Sequence, residues 1–363
     1  YRKNIWEKLL NNKKSDIIFY YDPIQNEGIQ VEKKNSKSKK QKNNFKEIKN
    51  FYFFGRVIWQ SRIVWECLSA SFNQAIFLGD MNILSTWIGL LICRLRSKKT
   101  ILWTHGFYGN ENYIKRLLRT LFYSIGNKYL IYEQRGKDLM INAGFDASKI
   151  FVIYNSLDYE LQKKYFENYQ KNSIKRDLYF FKNSKLKTVL FLGRLTLVKK
   201  IDLLIKSLYK LNSKSVNFNL LIIGEGPQKK MLKKISKEGI EKGWICFYGK
   251  TYEESELSKL IYSSDLMVSP GNTGLNSIHA LSYGTPVGTH DNFNNQMPEA
   301  AIIEDERTGF FFNENDSDDL SLKIDLWFSK FNLNLNRAER RVMIDEKYNS
   351  EYQIKEILKA LNK

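Results

Sequence analysis

Two cations follow one apolar run in close succession. The segment Val189–Lys199 reads VLFLGRLTLVK, so Arg194 and Lys199 come after a β-type run that stops at Gly193. Downstream, LLIIGEGP breaks at Gly224 and Gly226, and LMVSPGNTG breaks at Gly271 and Gly274 ahead of the helix-patterned LNSIHALS. A guanidinium is a planar fork and an ammonium a point charge, and both suit phosphate oxygens. In open α/β sheets the ligand sits at the carboxyl ends of the strands, where strand-to-helix turns gather. Arg194, Lys199, the Gly224–Pro227 turn and the Gly271–Gly274 turn are therefore expected to face one crevice that holds a multiply charged anion such as a diphosphate. The plainer readings stay beside this one: two surface cations in a chain with 58 of them, and an ordinary strand-to-helix turn at GEGP.

The chain has three histidines: His105, His279 and His290. His105 follows ILWT and precedes Gly106, which places it at the carboxyl end of a strand. It is either a proton shuttle or hydrogen-bond donor working near neutrality, or a satisfied core histidine. Asp316-Ser317-Asp318 has the form of a metal-binding Asp-x-Asp pair, but its position just before Leu320 reads as a helix cap. Cys67, Cys93 and Cys246 are far apart in apolar contexts, which fits buried thiols and offers no disulfide or ligand spacing. No metal or other cofactor is expected.

These groups need a scaffold. At 363 residues the chain is too long for one ordinary core, and 43% apolar composition is ample for two. In the amino half, apolar runs at Asp16–Tyr21, Ala75–Gly79, Thr100–Thr104, Lys128–Tyr132 and Ile150–Tyr154 alternate with helical periodicity over 61–71, 82–96, 111–125 and 135–143. After a polar stretch at 160–186, strands are expected at 188–192, 217–223, 244–248, 265–269, 286–289 and 309–312. Such alternation predicts α/β architecture: two doubly wound, Rossmann-like parallel sheets with helices on both faces. We place an amino-terminal domain at 1–155, a second at 156–340 and a closing helical segment at 341–363.

Net charge is +19. Part of it lies in 33–49, where eight lysines face one glutamate; this polar segment reads as an exposed loop, with attraction to anionic lipid or nucleic acid as the other reading. The run ENYIKRLLRTLFYSI at 111–125 mixes Lys115, Arg116 and Arg119 with apolar side chains. It is either a sheet-covering helix with a solvated basic face or a helix that lies on an anionic bilayer. The longest apolar stretch, Ile83–Cys93, is about half of the ~20 residues a spanning helix needs. A cytoplasmic location is expected, with the inner face of the membrane as a peripheral surface.

Taken jointly, GRL-x3-K-x2-DLL, GEGP and a glycine-rich turn leading to ALSYGTPV resemble the retaining glycosyltransferases of family 4. That resemblance covers 187–312, and Asn155–Asp158 (NSLD) resembles the family's interdomain hinge. It implies the GT-B fold, with two Rossmann-like domains facing a central cleft and a carboxyl-terminal helix crossing back to the first. It implies diphosphate binding by Arg194 and Lys199, a histidine such as His105 near the acceptor or transferred sugar, and donor contacts from Gly193, Gly224, Gly226, Gly271, Asn272, Thr273, Gly274, Leu275, His279 and Glu299. It also places a first strand and glycine loop upstream of Tyr1. Many relatives carry two glutamates eight residues apart; here those positions are Gly271 and His279. The carboxylate charge is absent, and His279 either hydrogen-bonds ribose or phosphate in its place or is structural.

The expected activity is transfer of a sugar, with retention, from a nucleotide-sugar donor to a glycan or lipid-linked glycan. A nucleotide-sugar epimerase on the same fold is the nearest rival. A basic nucleic-acid binder is the rival from another class, and no recognition motif supports it, so nucleic acid is not an expected partner.

Overall fold

The computed structural model describes residues 3–10, 16–23, 44–172, 178–331 and 335–362. The lysine-rich run at 33–49 lies outside the described residues as far as 43. The chain divides into two compact units, Tyr154–Gln353 and Arg2–Ile153 with Ile354–Lys363. The second domain therefore begins at Tyr154 and extends to Gln353, beyond the expected 156–340. The last helix, Ser350–Asn362, begins later than the segment proposed from 341.

The unit that holds the amino-terminal residues is built on four parallel strands: β5 (Gln74–Leu78), β6 (Lys99–Thr104), β7 (Lys128–Ile131) and β8 (Ile150–Val152) in that spatial order. Its earlier strands stand apart: β1 (Phe19–Tyr21) pairs in parallel with β2 (Phe45–Glu47), and β3 (Asn50–Phe53) forms a hairpin with β4 (Val57–Gln60). Neither the hairpin nor β2 was legible as such: Phe51–Phe54 and Val57–Trp59 are continuous apolar runs without alternation, and β2 is three residues within a lysine-rich segment. The side chains of β6 alternate between two cores. Ile101 and Trp103 pack with Ile5, Leu9, Ile357 and Ala360 on one face, while Leu102 packs with Leu90, Phe122 and Tyr129 on the other. Ile357 is fully buried, a gain of about 1.5–3 kcal/mol over an exposed side chain. It helps fix Ile354–Lys363 within this unit.

The other unit is a six-stranded parallel sheet in the order β11 (Ile245–Gly249), β10 (Phe218–Ile223), β9 (Lys187–Leu192), β12 (Leu266–Ser269), β13 (Val287–His290), β14 (Gly309–Phe312). Both faces are covered. Leu190 and Leu221 belong to one core, and their neighbours Val189, Phe191, Leu220 and Ile222 belong to the other, as the period of two requires. The polar stretch expected at 160–186 is in part a helix, Tyr159–Asn172, whose Gln162, Phe166 and Tyr169 are buried. Its apolar stripe is interrupted by glutamine and tyrosine, which hid the periodicity. Asp316 caps helix Ser317–Leu326, its carboxylate accepting the backbone N–H groups of Asp318 and Asp319 at 2.8 and 2.9 Å.

Candidate functional site

In the six-stranded sheet the chain order reverses between β9 and β12, which lie side by side. Loops leaving neighbouring strands at such a switch point diverge and open a crevice at the strands' carboxyl ends. The β9 loop holds Gly193, Arg194 and Lys199, and the β12 loop holds Gly271–Gly274. Topology thus brings together the two segments that the sequence singles out.

The two loops are joined directly. The ammonium of Lys199 donates to the carbonyl oxygen of Asn272 at 2.6 Å and to its side-chain Oδ1 at 2.8 Å. The backbone N–H of Gly271 donates to the Lys199 carbonyl at 3.1 Å. Burial lowers the Lys199 pKa, and the negative charge of Glu299 acts in the opposite direction. Glu299 is itself buried and accepts from Asn155 Nδ2 at 2.5 Å. An ammonium carries three hydrogens, so two of them position this one and the third is available to an anion. Arg194 is exposed; its carbonyl accepts the Thr196 N–H at 3.0 Å, and its guanidinium has no described hydrogen bond or ion pair. Leu195, next to it, is fully buried and anchors the loop.

The glycines explain why these loops approach so closely. A Cβ at Gly271 would lie 1.9 Å from the Val198 carbonyl oxygen and 2.8 Å from Lys199 Cα. The Lys199 loop thus occupies the space a side chain at 271 would need, which is the physical reason no glutamate stands there. Gly224 and Gly226 serve the same purpose one loop away: Cβ atoms there would meet Gly193 O at 1.8 Å and Leu195 O at 2.4 Å. Their tight packing beneath the β9 loop gives the GEGP turn a structural role as support for the Arg194 segment.

The turn itself differs from expectation. Thr273 N–H donates to Gln296 Oε1 at 2.8 Å and Gly274 N–H to Asn276 Oδ1 at 2.8 Å. Two of the backbone donors expected to point at phosphate are therefore engaged internally. Gln296 donates in turn to Thr289 Oγ1 at 2.9 Å and to the His290 carbonyl at 3.0 Å, while Asn276 Nδ2 donates to the Leu192 carbonyl at 3.1 Å. Asn276 and Gln296 are thus the braces of the site, and sequence reasoning passed over both. An amide at the second position of a helix, as Asn276 is, or in a short loop, as Gln296 is, resembles any surface residue until its partners are known. Leu275 begins helix Leu275–Ser282 and packs against the sheet's core.

His279 is held elsewhere. Its Nε2 lies 2.9 Å from Glu254 Oε1, and the Tyr283 hydroxyl donates to the same oxygen. Burial pushes the Glu254 carboxyl up, but the bonds from His279 and Tyr283 outweigh it and the net shift is downward. No described hydrogen bond links His279 to the Lys199–Asn272 pair. The carboxylate missing at position 279 is present nearby as Glu254, donated by helix Glu254–Ser263.

Lys200, next to Lys199, adopts φ +48° and pairs with Glu314 at 2.9 Å. That bond, with others from Asn292 and Asn295, holds the Glu314 carboxyl down at about 2. His290 is buried and its pKa is lowered by that burial.

His105 lies in the other unit, at the end of β6. Its ring sits 4.7 Å from that of Tyr132 and 6.0 Å from that of Tyr108. The loop that carries it is fastened by Arg119, which donates to the Gly106 carbonyl at 3.1 Å and to Glu111 at 2.7 Å. Glu111 also accepts the backbone N–H groups of Tyr108 and Gly109. Arg119 is therefore a loop anchor rather than part of a solvated basic face. Cys67 and Cys93 are buried and Cys246 is partly so.

Residues 176–348 match the family Glycosyl transferases group 1. Anabaena HepE in complex with UDP superposes with a TM-score of 0.65 at 14% identity, covering 89% of this chain and 87% of that one. The lipopolysaccharide outer core galactosyltransferase WaaB gives 0.62 at 15% identity, with 83% and 77% covered. The fold is GT-B. Among curated relatives, an uncharacterized glycosyltransferase of Haemophilus influenzae is 27% identical over 173 residues, 47% of each chain. Protein CapJ of Staphylococcus aureus is 24% identical over 245 residues, 66% of this chain and 60% of CapJ. The matched region thus spans about half to three fifths of these relatives. Within the GT-B scaffold, the family match takes in Arg194, Lys199, Asn272 and Glu299 together.

Proposed function

We propose that the protein is a retaining glycosyltransferase that moves a hexosyl group from a nucleotide-sugar donor to a glycan or lipid-linked glycan in surface polysaccharide or lipopolysaccharide synthesis. One observation carries the reading: Lys199, braced by Asn272 at the switch point of a parallel sheet, with a donor hydrogen to spare. The Glycosyl transferases group 1 match and the relative named a glycosyltransferase support it.

In this reading, Arg194 and Lys199 bind the donor diphosphate and neutralise the charge that grows on it as the anomeric carbon–oxygen bond breaks. Fixed donors of this kind are worth roughly 3–4 kcal/mol each. The acceptor hydroxyl bonds to the anomeric carbon on the face the diphosphate leaves. Its proton passes to a departing phosphate oxygen, so configuration is retained. Glu299, oriented by Asn155, and the Asn272 turn contact the sugar. His105 donates a hydrogen bond to the sugar or acceptor. Charge neutralisation is assigned to these cations, so chelation with EDTA is expected to leave turnover unchanged. The acceptor is presented at an anionic membrane face.

The test is thermal-shift screening against UDP, GDP, ADP and dTDP and their sugars, followed by release of free nucleotide with and without acceptor. A ligand at one hundred times its Kd stabilises by about 2.7 kcal/mol, a resolvable shift. No stabilisation by any nucleoside diphosphate would remove the proposal, and sugar release independent of acceptor would favour the epimerase.

A further inference from the structure

In the six-stranded sheet β13 and β14 follow β12 in space, so their carboxyl-terminal loops stand next to the two that hold Lys199 and Asn272. One carboxylate joins these loops. Glu314, two residues beyond β14, accepts the ammonium of Lys200 on Oε1 at 2.9 Å and Asn292 Nδ2 on Oε2 at 2.7 Å. Asn295 Nδ2 reaches both oxygens, at 3.2 and 3.1 Å. Glu314 is itself held from behind. The N–H of Asn313 donates to Asp319 Oδ2 at 2.6 Å, and that of Asp316 to the Asn313 carbonyl at 3.1 Å, at the capped start of helix Ser317–Leu326.

Two of its partners lead to the site. Lys200 follows Lys199 directly. It is a single left-handed residue, φ +48° and ψ +42°, between the 3-10 turn Leu197–Lys199 and helix Ile201–Leu211. A side chain disfavours that conformation, whereas glycine takes it freely. An ion pair from this side chain to a fixed carboxylate keeps the turn closed where no glycine does so. The same turn places the Lys199 carbonyl, which accepts the Gly271 N–H. Asn295, the other link, precedes Gln296, whose amide oxygen braces Thr273. The Lys200 and Glu314 side chains are only 29% and 17% exposed, which spares the pair much of the solvent screening that weakens surface ion pairs. With these donors on it the Glu314 carboxyl is held at about 2, so it is charged at any working pH.

We propose that Glu314 is a positioning residue for the donor site: it locks Lys200 in its left-handed turn and Asn295–Gln296 against the Gly271–Gly274 turn, and so aims the Lys199 ammonium at the donor diphosphate. It acts through Lys199 and rests on the reading of that residue as the anion-binding cation. Charge on Lys199 and direction of Lys199 are separable, because different substitutions remove them.

The experiment is calorimetric titration of the full chain with whichever of UDP, GDP, ADP and dTDP stabilises the wild type most. Glu314→Ala is expected to weaken binding at least about tenfold, within the range of couplings inside one hydrogen-bond network, while circular dichroism shows a folded protein at the titration temperature. Lys199→Ala is expected to weaken binding as well. Adding Glu314→Ala to Lys199→Ala is expected to cost less than about threefold more, because the ammonium to be aimed is gone. In a Lys200→Gly background, where glycine takes the turn unaided, Glu314→Ala is likewise expected to cost less than it does in the wild type. Glu314→Gln keeps an acceptor for both asparagines and loses the ion pair; it carries the same cycles if alanine brings the melting temperature below that of the titration. A merely structural Glu314 would lower the melting temperature and leave affinity alone. Wild-type affinity in the Glu314 variants beside a weakened Lys199→Ala would overturn the inference and leave the anion site standing, as would an undiminished loss in the Lys199→Ala background. Wild-type affinity in Lys199→Ala would remove the anion-site reading and this inference with it.

Discussion

Replacing Lys199 by alanine tests the anion site directly. The side chain makes two short bonds to Asn272 and keeps a third hydrogen for ligand. Losing one fixed donor aimed at a diphosphate costs roughly 2.7–4 kcal/mol of transition-state stabilisation, a fall of about 10²–10³ in kcat. Stability changes less. Charge-assisted bonds contribute about 1.5–3 kcal/mol each, but removing a half-buried ammonium also returns its desolvation cost, so the net loss is expected to stay below ~2 kcal/mol. For a unit of some 200 residues that is a drop of several degrees, which leaves the variant folded at assay temperature. The assay is nucleotide release from the donor identified by thermal shift, with circular dichroism melting as the control for folding. Because burial lowers the Lys199 pKa, wild-type kcat/KM is also expected to fall on an alkaline limb at a pH below 10.5, and Lys199→Ala to lack that limb. A folded Lys199→Ala enzyme with kcat/KM within about fivefold of wild type would refute the role of this ammonium.

Other outcomes follow from neighbouring contacts. Gly271→Ala drives a Cβ to 1.9 Å from the Val198 carbonyl, so it is expected to destabilise by about 1–3 kcal/mol and to impair nucleotide binding; a wild-type melting curve and affinity would contradict the close approach. Glu314→Gln removes the partner of Lys200. A carboxylate held at about 2 adds stability that is present above its ordinary 4.5 and is lost as pH falls through 2, so this variant's melting deficit, of at most about 1 kcal/mol, should shrink across that window and vanish below it. A deficit independent of pH would point to packing instead. His105→Ala is expected to lower kcat by roughly 10² or more with UDP affinity intact, measured by titration; loss of UDP affinity would assign the ring to the nucleotide.

Much of the scaffold was legible because buried parallel strands are short apolar runs that turns interrupt, and β9, β10 and β12 are of this kind. Helix Tyr159–Asn172 was missed because its buried positions include Gln162 and Tyr169, which read as polar in isolation. The hairpin β3–β4 was missed because apolar side chains follow one another along both strands and burial does not alternate, which removes the period of two that marks a half-buried strand. At the site, Lys199, Asn272 and Gly271 were singled out by type and position. Their mutual contacts were not, since residues 73 positions apart meet only through strand order.

Sequence alone determined the periodicities, the glycine breaks and the placing of two cations after one strand, because these depend on local geometry and composition. Tertiary structure decided which donors remain available. It committed Thr273 and Gly274 to Gln296 and Asn276, turned His279 toward Glu254, spent Arg119 on Glu111, and left the third hydrogen of Lys199 and the exposed fork of Arg194 for ligand. The physical reason is that hydrogen-bond saturation belongs to neighbours in space, and the chain order of a doubly wound sheet sets which neighbours those are.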